Sequence, residues 1–114
     1  MNHTEFQGQI VQFATMMGWE HLHVRRTIGK HKKWVTGTNI KGWPDLMLMR
    51  APDELIAAEI KIPPDDLSPD QMKVIGTAES PGWLRTMTKF ECYIWRPEDW
   101  DEIQWRLDRK TRRH

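Results

Sequence analysis

Near the N-terminus, hydrophobic residues recur at the spacing of one face of a helix. These positions are Phe6, Ile10, Phe13, Ala14 and Met17. Thr4 precedes them as a potential N-cap, and Gln7 follows at the spacing of a capping box. Gly18 can end the helix in the left-handed conformation. The pattern therefore predicts a helix over residues 4–17.

Shorter apolar runs farther along the chain predict strands. Residues 19–24 predict the first strand, because polar and apolar side chains alternate there. The other apolar runs cover residues 45–49, 55–62 and 90–95. Turn-forming residues at 50–54 separate two of these runs, which predicts an antiparallel hairpin.

Two more helices are predicted. Ser68 and Pro69 have the residue types of an N-cap and a first helical position, and apolar residues continue the pattern to position 79. Residues 97–107 predict a closing helix. Its apolar face carries Trp100, Ile103 and Leu107. The resulting order, helix, strand, strand, strand, helix, strand, helix, predicts an α/β fold with a central mixed β-sheet flanked by helices.

The composition limits the size and class of the protein. With 114 residues, of which 39% are hydrophobic, the chain is expected to form a single domain over residues 1–114. It has no apolar run long enough for a membrane helix, and its first residues do not resemble a signal peptide. Cys92 is the single cysteine, which excludes an internal disulfide and indicates a reducing, intracellular (cytoplasmic) location.

The formal net charge of +1 conceals a segregation of basic residues. Residues 25–41, expected to form a loop, contain no acid and carry Arg25, Arg26, Lys30, Lys32, Lys33 and Lys41. Residues 109–114 are expected to form a basic tail. This segregation favours contact between the loop and the phosphates of a nucleic acid. A solvated loop and a frayed tail are the alternatives.

Tryptophan is abundant, with 7 residues in the chain. Four of them lie in periodic segments and are expected in or beside the core: Trp19, Trp95, Trp100 and Trp105. The other three lie among glycine, proline and charged residues: Trp34, Trp43 and Trp83. A ring in such a place can stack on a base or anchor a partner subunit.

Two charged residues interrupt the third predicted strand. Glu59 and Lys61 stand among aliphatic neighbours, where an unpaired charge is costly to bury. Because side chains alternate across a strand, these two residues share one face, and Ile60 and Ile62 take the other. A solvent-exposed cross-strand ion pair is the alternative interpretation.

Asp45 is predicted to join this pair. If residues 50–54 form the hairpin loop, Met49 pairs with Leu55 and Asp45 falls opposite Glu59. A shift of one residue would send Asp45 to the other face of the sheet. A simple Pro-Asp turn is the alternative for this segment.

Two adjacent carboxylates repel each other unless a cation lies between them. A hard divalent ion is the expected occupant, and Mg²⁺ fits best because it keeps several waters. Such an ion can acidify a bound water and polarise a phosphate, which is the chemistry of phosphodiester hydrolysis. Lys61 would orient the attacking water and neutralise charge in the transition state. The number of metal ions stays open.

An ordered set of motifs resembles the VRR-NUC domain, a branch of the PD-(D/E)xK nuclease superfamily. These motifs are Thr4-Glu5, Gly18-Trp19, Gly42-Trp43-Pro44-Asp45-Leu46, Ala58-Glu59-Ile60-Lys61, Leu67-Ser68-Pro69-Asp70-Gln71 and Ile94-Trp95-Arg96-Pro97. The resemblance covers nearly the whole chain and implies a restriction-endonuclease-like core.

The resemblance also implies roles for individual residues. Asp45 and Glu59 would bind the metal, with the Ile60 main-chain carbonyl as a further ligand and Glu5 directed at the site from the first helix. Lys61 would be the catalytic lysine. Gln71 is either a catalytic residue near the phosphate or the capping-box partner of Ser68, and these two roles are compatible.

The implied activity is that of a DNA endonuclease that uses Mg²⁺, with Mn²⁺ as a substitute. The family acts on DNA that is often branched or flapped, and its small members resemble four-way-junction resolvases and tend to be homodimers. We therefore expect a homodimer that acts on branched DNA. The basic insertion at residues 29–38 and the sequence Pro63-Pro64 after the lysine depart from the family pattern and leave the substrate shape open.

Two other functions are possible from the sequence. The first is a non-catalytic DNA-binding module that uses the 25–41 loop and exposed tryptophans. The second is a zinc protein built on His21, His23, His31 and Cys92, although the usual paired ligand spacing is missing.

Overall fold

The computed structural model describes residues 1–24, 40–87 and 91–111, together with the backbone of two short strands between the first two ranges. The helices are α1 (His3–Met16), α2 (Pro69–Val74) and α3 (Trp100–Leu107), the last preceded by a 3₁₀ turn at Pro97–Asp99. The strands are β1 (Glu20–His23), β2 (Arg26–Ile28), β3 (Trp34–Thr36), β4 (Leu46–Arg50), β5 (Glu54–Ile60) and β6 (Glu91–Trp95). None of the helices in these ranges is long and apolar enough to cross a membrane.

Four of the strands form one sheet in the order β1-β4-β5-β6. The pairs β1–β4 and β4–β5 are antiparallel, whereas β5 and β6 are parallel. A parallel neighbour requires a crossover connection, and α2 lies within it. The predicted α/β fold with a central mixed sheet is confirmed.

The β4–β5 hairpin has the predicted register. Met49 pairs with Leu55 and Leu46 pairs with Ala58, so the same alignment continues to Asp45 opposite Glu59. The loop is shorter than expected, because Arg50 still belongs to β4 and Glu54 already belongs to β5. Shortening the loop by one residue on each side preserves the alignment.

Alternate residues of the sheet pack into two hydrophobic clusters. One cluster joins the sheet to α1 and α3, and includes Phe6, Ile10, Leu46, Leu48, Ile56, Ala58, Ile60, Ile103 and Leu107. The other joins it to α2, and includes Met47, Ala57, Val74, Ile75, Leu84 and Cys92. By alternation, Glu59 shares the face of Ala57 and therefore points toward α2.

The first helix begins earlier than predicted. Its N-cap is Asn2, whose side chain accepts a hydrogen bond from the Glu5 amide at 2.8 Å. The predicted capping box of Thr4 and Gln7 is therefore wrong. Asparagine is a strong N-cap residue, and the asparagine two positions upstream takes that role.

Residues 25–41 are not a simple loop. The backbones of β2 and β3 form a two-stranded antiparallel ladder in which Arg26 pairs with Thr36. The expectation of a loop is therefore wrong over these two strands. The 109–114 tail is described to Thr111 only, and Arg109 there donates to the Met16 carbonyl at 3.0 Å.

The second helix ends at Val74 and does not continue to position 79. Gly76 has a φ of +62°, and a Cβ on it would lie 2.2 Å from the Ser80 carbonyl oxygen. The chain then folds back along the end of α2, where the Leu84 amide donates to the Val74 carbonyl at 2.9 Å. A side chain at position 76 would block this close return.

A buried ion-pair network crosses the far end of the sheet. Arg50 binds Glu54 at 2.8 Å, and Arg106 bridges Glu54 at 2.8 Å and Glu91 at 2.7 Å. The Arg50 guanidinium also lies 4.4 Å from the centroid of the Trp19 ring. The prediction that Glu54 belongs to the turn is therefore wrong. Glu54 is the first residue of β5, and its carboxylate is buried between two arginines.

The predicted apolar face of α3 is correct for Ile103 and Leu107, which are buried. Trp100 is half-buried and contacts Phe13 with ring centroids 5.8 Å apart. Trp105, however, is 69% exposed, so its expected place in or beside the core is wrong.

Candidate active site

A cavity of about 1090 Å³ lies at the end of the sheet where the central strand β4 begins and its neighbour β5 ends. Asp45, Glu59 and Lys61 line it, as does Gln71 from α2. The start of α1 closes another side of the cavity with residues that include His3. The three residues predicted from the hairpin are thus brought together.

Asp45 is held by the main chain around it. Its Oδ2 accepts a hydrogen bond from the Ile60 amide at 3.1 Å, and its carbonyl accepts one from the Val24 amide at 2.9 Å. Just upstream, Gly42 has a φ of +87°, and a Cβ there would lie 2.3 Å from the Asp70 carbonyl oxygen. The glycine therefore allows the segment before Asp45 to pack against the start of α2.

Glu59 is buried, with 2% of the residue exposed. Its Oε2 accepts a hydrogen bond from Gln71 Nε2 at 2.9 Å and lies 3.6 Å from Lys61 Nζ. The other carboxyl oxygen, Oε1, is buried and receives no hydrogen bond from a permanent donor, but the carboxyl groups of Glu59 and Asp45 lie within hydrogen-bond reach of each other. A buried carboxylate oxygen without a permanent donor is unusual, because desolvation of such an atom is normally offset by a donor or a cation.

The electrostatics of the two acids differ. Burial raises the pKa of Glu59 to about 8, and the negative charge of Asp45 adds to this rise, whereas Lys61 opposes it. Burial also acts to raise the pKa of Asp45, but hydrogen bonds from His3 and from the Ile60 amide outweigh it and hold that pKa below its usual value. One acid is therefore ionised and its neighbour retains a proton near neutral pH.

His3 is a site residue that sequence reasoning missed. Its Nε2 lies 3.1 Å from Asp45 Oδ2, and this hydrogen bond raises the pKa of His3 against the opposing effect of burial. The residue escaped notice because the helix start was assigned to Thr4. With Asn2 recognised as the N-cap, His3 becomes the first helical residue.

Glu5 does not reach this cavity. Its side chain is exposed and accepts a hydrogen bond from Asn2 Nδ2 at 2.8 Å, so it belongs to the cap of α1. Glu5 is not among the lining residues. The expectation that Glu5 points into the site from the first helix is not met, because the helix start turns that carboxylate toward Asn2.

Gln71 combines the two roles that the sequence left open. Its Oε1 accepts a hydrogen bond from the Ser68 amide at 2.8 Å, and its own amide donates to Ser68 Oγ at 3.2 Å. The capping box is therefore confirmed. The same side chain donates to Glu59, which ties the start of α2 to the buried acid.

Most of the expected DNA-binding residues lie outside the described part of the chain. This applies to Arg25, Lys30, Lys32 and Lys33, and Arg26 is described by its backbone alone. Lys41 is described and exposed, but it does not line the cavity.

The fit of the site to a metal ion depends on the oxygen ligands that its wall offers. Among the described residues, no three His, Cys, Asp or Glu side chains converge on a metal-sized position. Mg²⁺, however, is commonly held by one or two carboxylates and several waters. Glu59 Oε1, the neighbouring Asp45 carboxylate and the main chain of Ile60 at the cavity wall fit that requirement.

The zinc site suggested by the sequence is not formed by the described residues. The rings of His21 and His23 lie 5.2 Å apart on the edge strand β1. Cys92 is buried on β6, at the opposite edge and therefore roughly 14 Å from β1. His31 lies outside the described residues.

Comparison with protein-family models gives a match. A family model described as the VRR-NUC domain matches residues 2–84, which extend from α1 through α2 and contain Asp45, Glu59, Lys61 and Gln71. The match confirms the family resemblance seen in the sequence. The last of the sequence motifs that carried this resemblance, at residues 94–97, lies beyond the matched range. No curated protein and no solved structure matches the chain.

Proposed function

Since this chain belongs to the VRR-NUC domain family, a nuclease family of restriction-endonuclease-like fold that processes DNA, we propose that it is a metal-dependent endonuclease. It hydrolyses phosphodiester bonds in DNA, with branched structures such as four-way junctions as its preferred substrate. Mg²⁺ is the proposed cofactor and Mn²⁺ its substitute. The observation that carries this proposal is the buried Glu59 carboxyl, whose Oε1 receives no hydrogen bond from a permanent donor, beside the Asp45 carboxylate and Lys61 in one cavity.

Asp45, Glu59 and the Ile60 main-chain carbonyl are the proposed metal ligands. When bound, the ion supplies an acidified water and polarises the phosphate. Gln71 keeps the Glu59 carboxylate in place through its hydrogen bond to Oε2. His3 and the Ile60 amide do the same for Asp45.

Lys61 is the proposed catalytic lysine. Its Nζ lies 3.6 Å from Glu59 Oε2 inside the cavity, where an ammonium can orient the attacking water and stabilise negative charge on the phosphate. A lysine that served only as the ion-pair partner of Glu59 would not need the second carboxylate beside it. The pair of acids therefore supports a role in metal-assisted hydrolysis over a structural salt bridge.

Oligomeric state and location belong to the same proposal. A homodimer would present two sites to a four-way junction, one for each of two strands. A reducing, cytoplasmic location accords with the single cysteine, which is buried. Mass measurement in solution, with and without a junction, tests the dimer.

A cleavage panel tests the proposed activity. Labelled single strand, duplex, flap and four-way junction are each incubated with the protein in Mg²⁺, Mn²⁺ or EDTA. We expect incision of branched DNA in either metal and none in EDTA.

Three variants make the test specific to the site. Asp45→Asn and Lys61→Met should abolish incision, whereas Asp101→Asn, an exposed residue of α3, is a matched control that should cut as the wild type does. Equal cutting by all three variants, or cutting that resists EDTA, would contradict the proposal. Salt-sensitive binding without incision in any metal would instead support the non-catalytic module.

A further inference from the structure

Two tryptophans form a pair that has no part in the metal site. The ring centroids of Trp43 and Trp83 lie 6.3 Å apart, with the planes tilted by 45°. Trp43 is half-buried and packs against the hydrophobic cluster below α2. Trp83 is 45% exposed, so Trp43 supports it from the inside while part of its surface faces solvent.

The pair is attached to the elements that carry the site. Trp43 is two residues from Asp45, so their Cα atoms lie within about 7 Å of each other. The Trp83 amide donates to the Lys73 carbonyl at 3.1 Å, and Lys73 is only two residues, about 3 Å of helix rise, beyond Gln71. The tryptophans therefore lie beside α2, the helix whose first turn carries Gln71, although neither of them lines the cavity itself.

Two exposed lysines lie close to the pair along the chain. Lys41 and Lys73 are exposed. Lys41 is two residues from Trp43, and the main-chain carbonyl of Lys73 accepts the hydrogen bond from the Trp83 amide. In the part of the chain that the structure describes, neither lysine forms an ion pair. An aromatic surface flanked by free ammonium groups suits a nucleic acid, because rings stack on bases and lysines attract phosphates.

We propose that Trp83, supported by Trp43, is a stacking surface for an unpaired base beside the bond that is cut. This inference rests on the proposed function and assigns a DNA-contacting residue outside the metal site. In a continuous duplex both faces of each base are covered by neighbouring bases. The indole ring can therefore stack only on a base that lies outside the helix. Trp83 should therefore contact a nucleotide that lies outside the double helix near the incision point.

A second copy of this chain is the competing occupant of the surface. An exposed tryptophan can anchor a subunit interface as well as a base. Two lysines without partners at the rim favour an anionic ligand over an identical, equally basic surface. The proximity to Asp45 and Gln71 also favours DNA, since the substrate must approach this edge of the sheet.

Fluorescence of 2-aminopurine tests the stacking directly. The probe is placed in DNA at the unpaired position next to the branch, and a matched fully paired duplex serves as the reference. Binding is measured in the Asp45→Asn background, which prevents cutting. Stacking on an indole should quench the probe when the flapped DNA binds.

Substitutions of Trp83 distinguish the effect of its aromatic ring from the effect of its side-chain volume. Trp83→Leu keeps an apolar side chain but removes the ring, and Trp83→Phe restores a ring. Trp105→Leu is the control and removes a more exposed tryptophan from α3. We expect Trp83→Leu to lose the quenching and to weaken binding of flapped DNA by about fivefold to 150-fold, with little change for duplex. Trp83→Phe should recover most of the affinity, and Trp105→Leu should behave as the wild type.

Four results would overturn the inference. Unchanged quenching and affinity in Trp83→Leu would show that the base stacks elsewhere. Unchanged DNA affinity with a fall from dimer to monomer would make the surface a subunit interface. If the unsubstituted protein cuts branched DNA and Trp83→Leu cuts it equally well, the stacking role is wrong but the proposed nuclease function stands. If the unsubstituted protein binds no DNA, both proposals are wrong.

Discussion

Gln71 donates a hydrogen bond of 2.9 Å from Nε2 to Oε2 of Glu59, while its Oε1 accepts one of 2.8 Å from the Ser68 amide. One buried amide thus caps α2 and positions the acid on β5. Because the donor and the acceptor atoms of the amide have different partners, the two roles can be separated by substitution.

The first prediction concerns Gln71→Glu. The new carboxylate keeps an acceptor for the Ser68 amide but cannot donate to Glu59 when ionised, so it should destabilise the protein by about 1–3 kcal/mol at pH 8. At pH 5 the new carboxyl can be protonated and can donate again, so the loss should shrink. Urea unfolding at both pH values measures the difference.

Ser68→Ala is the control for that experiment. It removes the N-cap hydroxyl but leaves the bond between Gln71 and Glu59, and it should cost about 1 kcal/mol at either pH. A loss in Gln71→Glu that is the same at pH 5 and pH 8 would show that the amide acts only as a cap.

The second prediction is a pH dependence of stability that Glu59 causes. Its pKa is about 8 in the folded protein against a usual value of 4.5, so between these values the folded state holds the extra proton. The free energy of unfolding should therefore fall as pH rises from about 4.5 to about 8, by a few kcal/mol, in EDTA. Glu59→Gln, which stays neutral, should lack this fall and be the more stable protein at pH 8.

Chemical denaturation across that pH range makes the measurement. Asp101→Asn provides a matched loss of a carboxylate from an exposed site and should keep the wild-type slope. If Glu59→Gln also keeps the slope, the proton resides elsewhere.

The third prediction is that metal binding releases this proton. A cation beside Glu59 favours its ionised form, so the affinity for Mg²⁺ should rise with pH until about pH 8 and then level off. Calorimetry in buffers of different ionisation enthalpy counts the protons released. Equal heats in all buffers at pH 6.5 would contradict the account.

The fourth prediction concerns the buried ion pairs at the far end of the sheet. Arg106→Met leaves Glu54 and Glu91 without one of their cationic partners, and should destabilise the protein by about 3–5 kcal/mol. Lys110→Met, an exposed matched control, should change stability by less than about 0.5 kcal/mol. Thermal unfolding distinguishes the two, and a similar melting temperature for both would show that the network contributes little.

The register of the β4–β5 hairpin was predictable because side-chain alternation and loop length determine it. A loop centred on residues 51–53 allows one alignment, and that alignment places Asp45 opposite Glu59. The start of α2 was also predictable, because Ser68 and Pro69 are local signals that need no tertiary context.

Features that depend on contacts distant in sequence could not be predicted. His3 meets Asp45 only after α1 packs across the sheet, 42 residues away along the chain. Arg106 and Glu54 look like solvated surface charges until the last helix buries them together, 52 residues apart. The early end of α2 depends on the close return of the chain at Gly76, which no periodicity signals.

Binding of Mn²⁺, followed by the electron paramagnetic resonance signal of the free ion, tests the central claim most directly. The account predicts that the wild type and Asp101→Asn bind Mn²⁺ alike, whereas Asp45→Asn and Glu59→Gln each weaken binding by at least about tenfold while remaining folded. Equal Mn²⁺ affinity in all four proteins would contradict a metal site between Asp45 and Glu59.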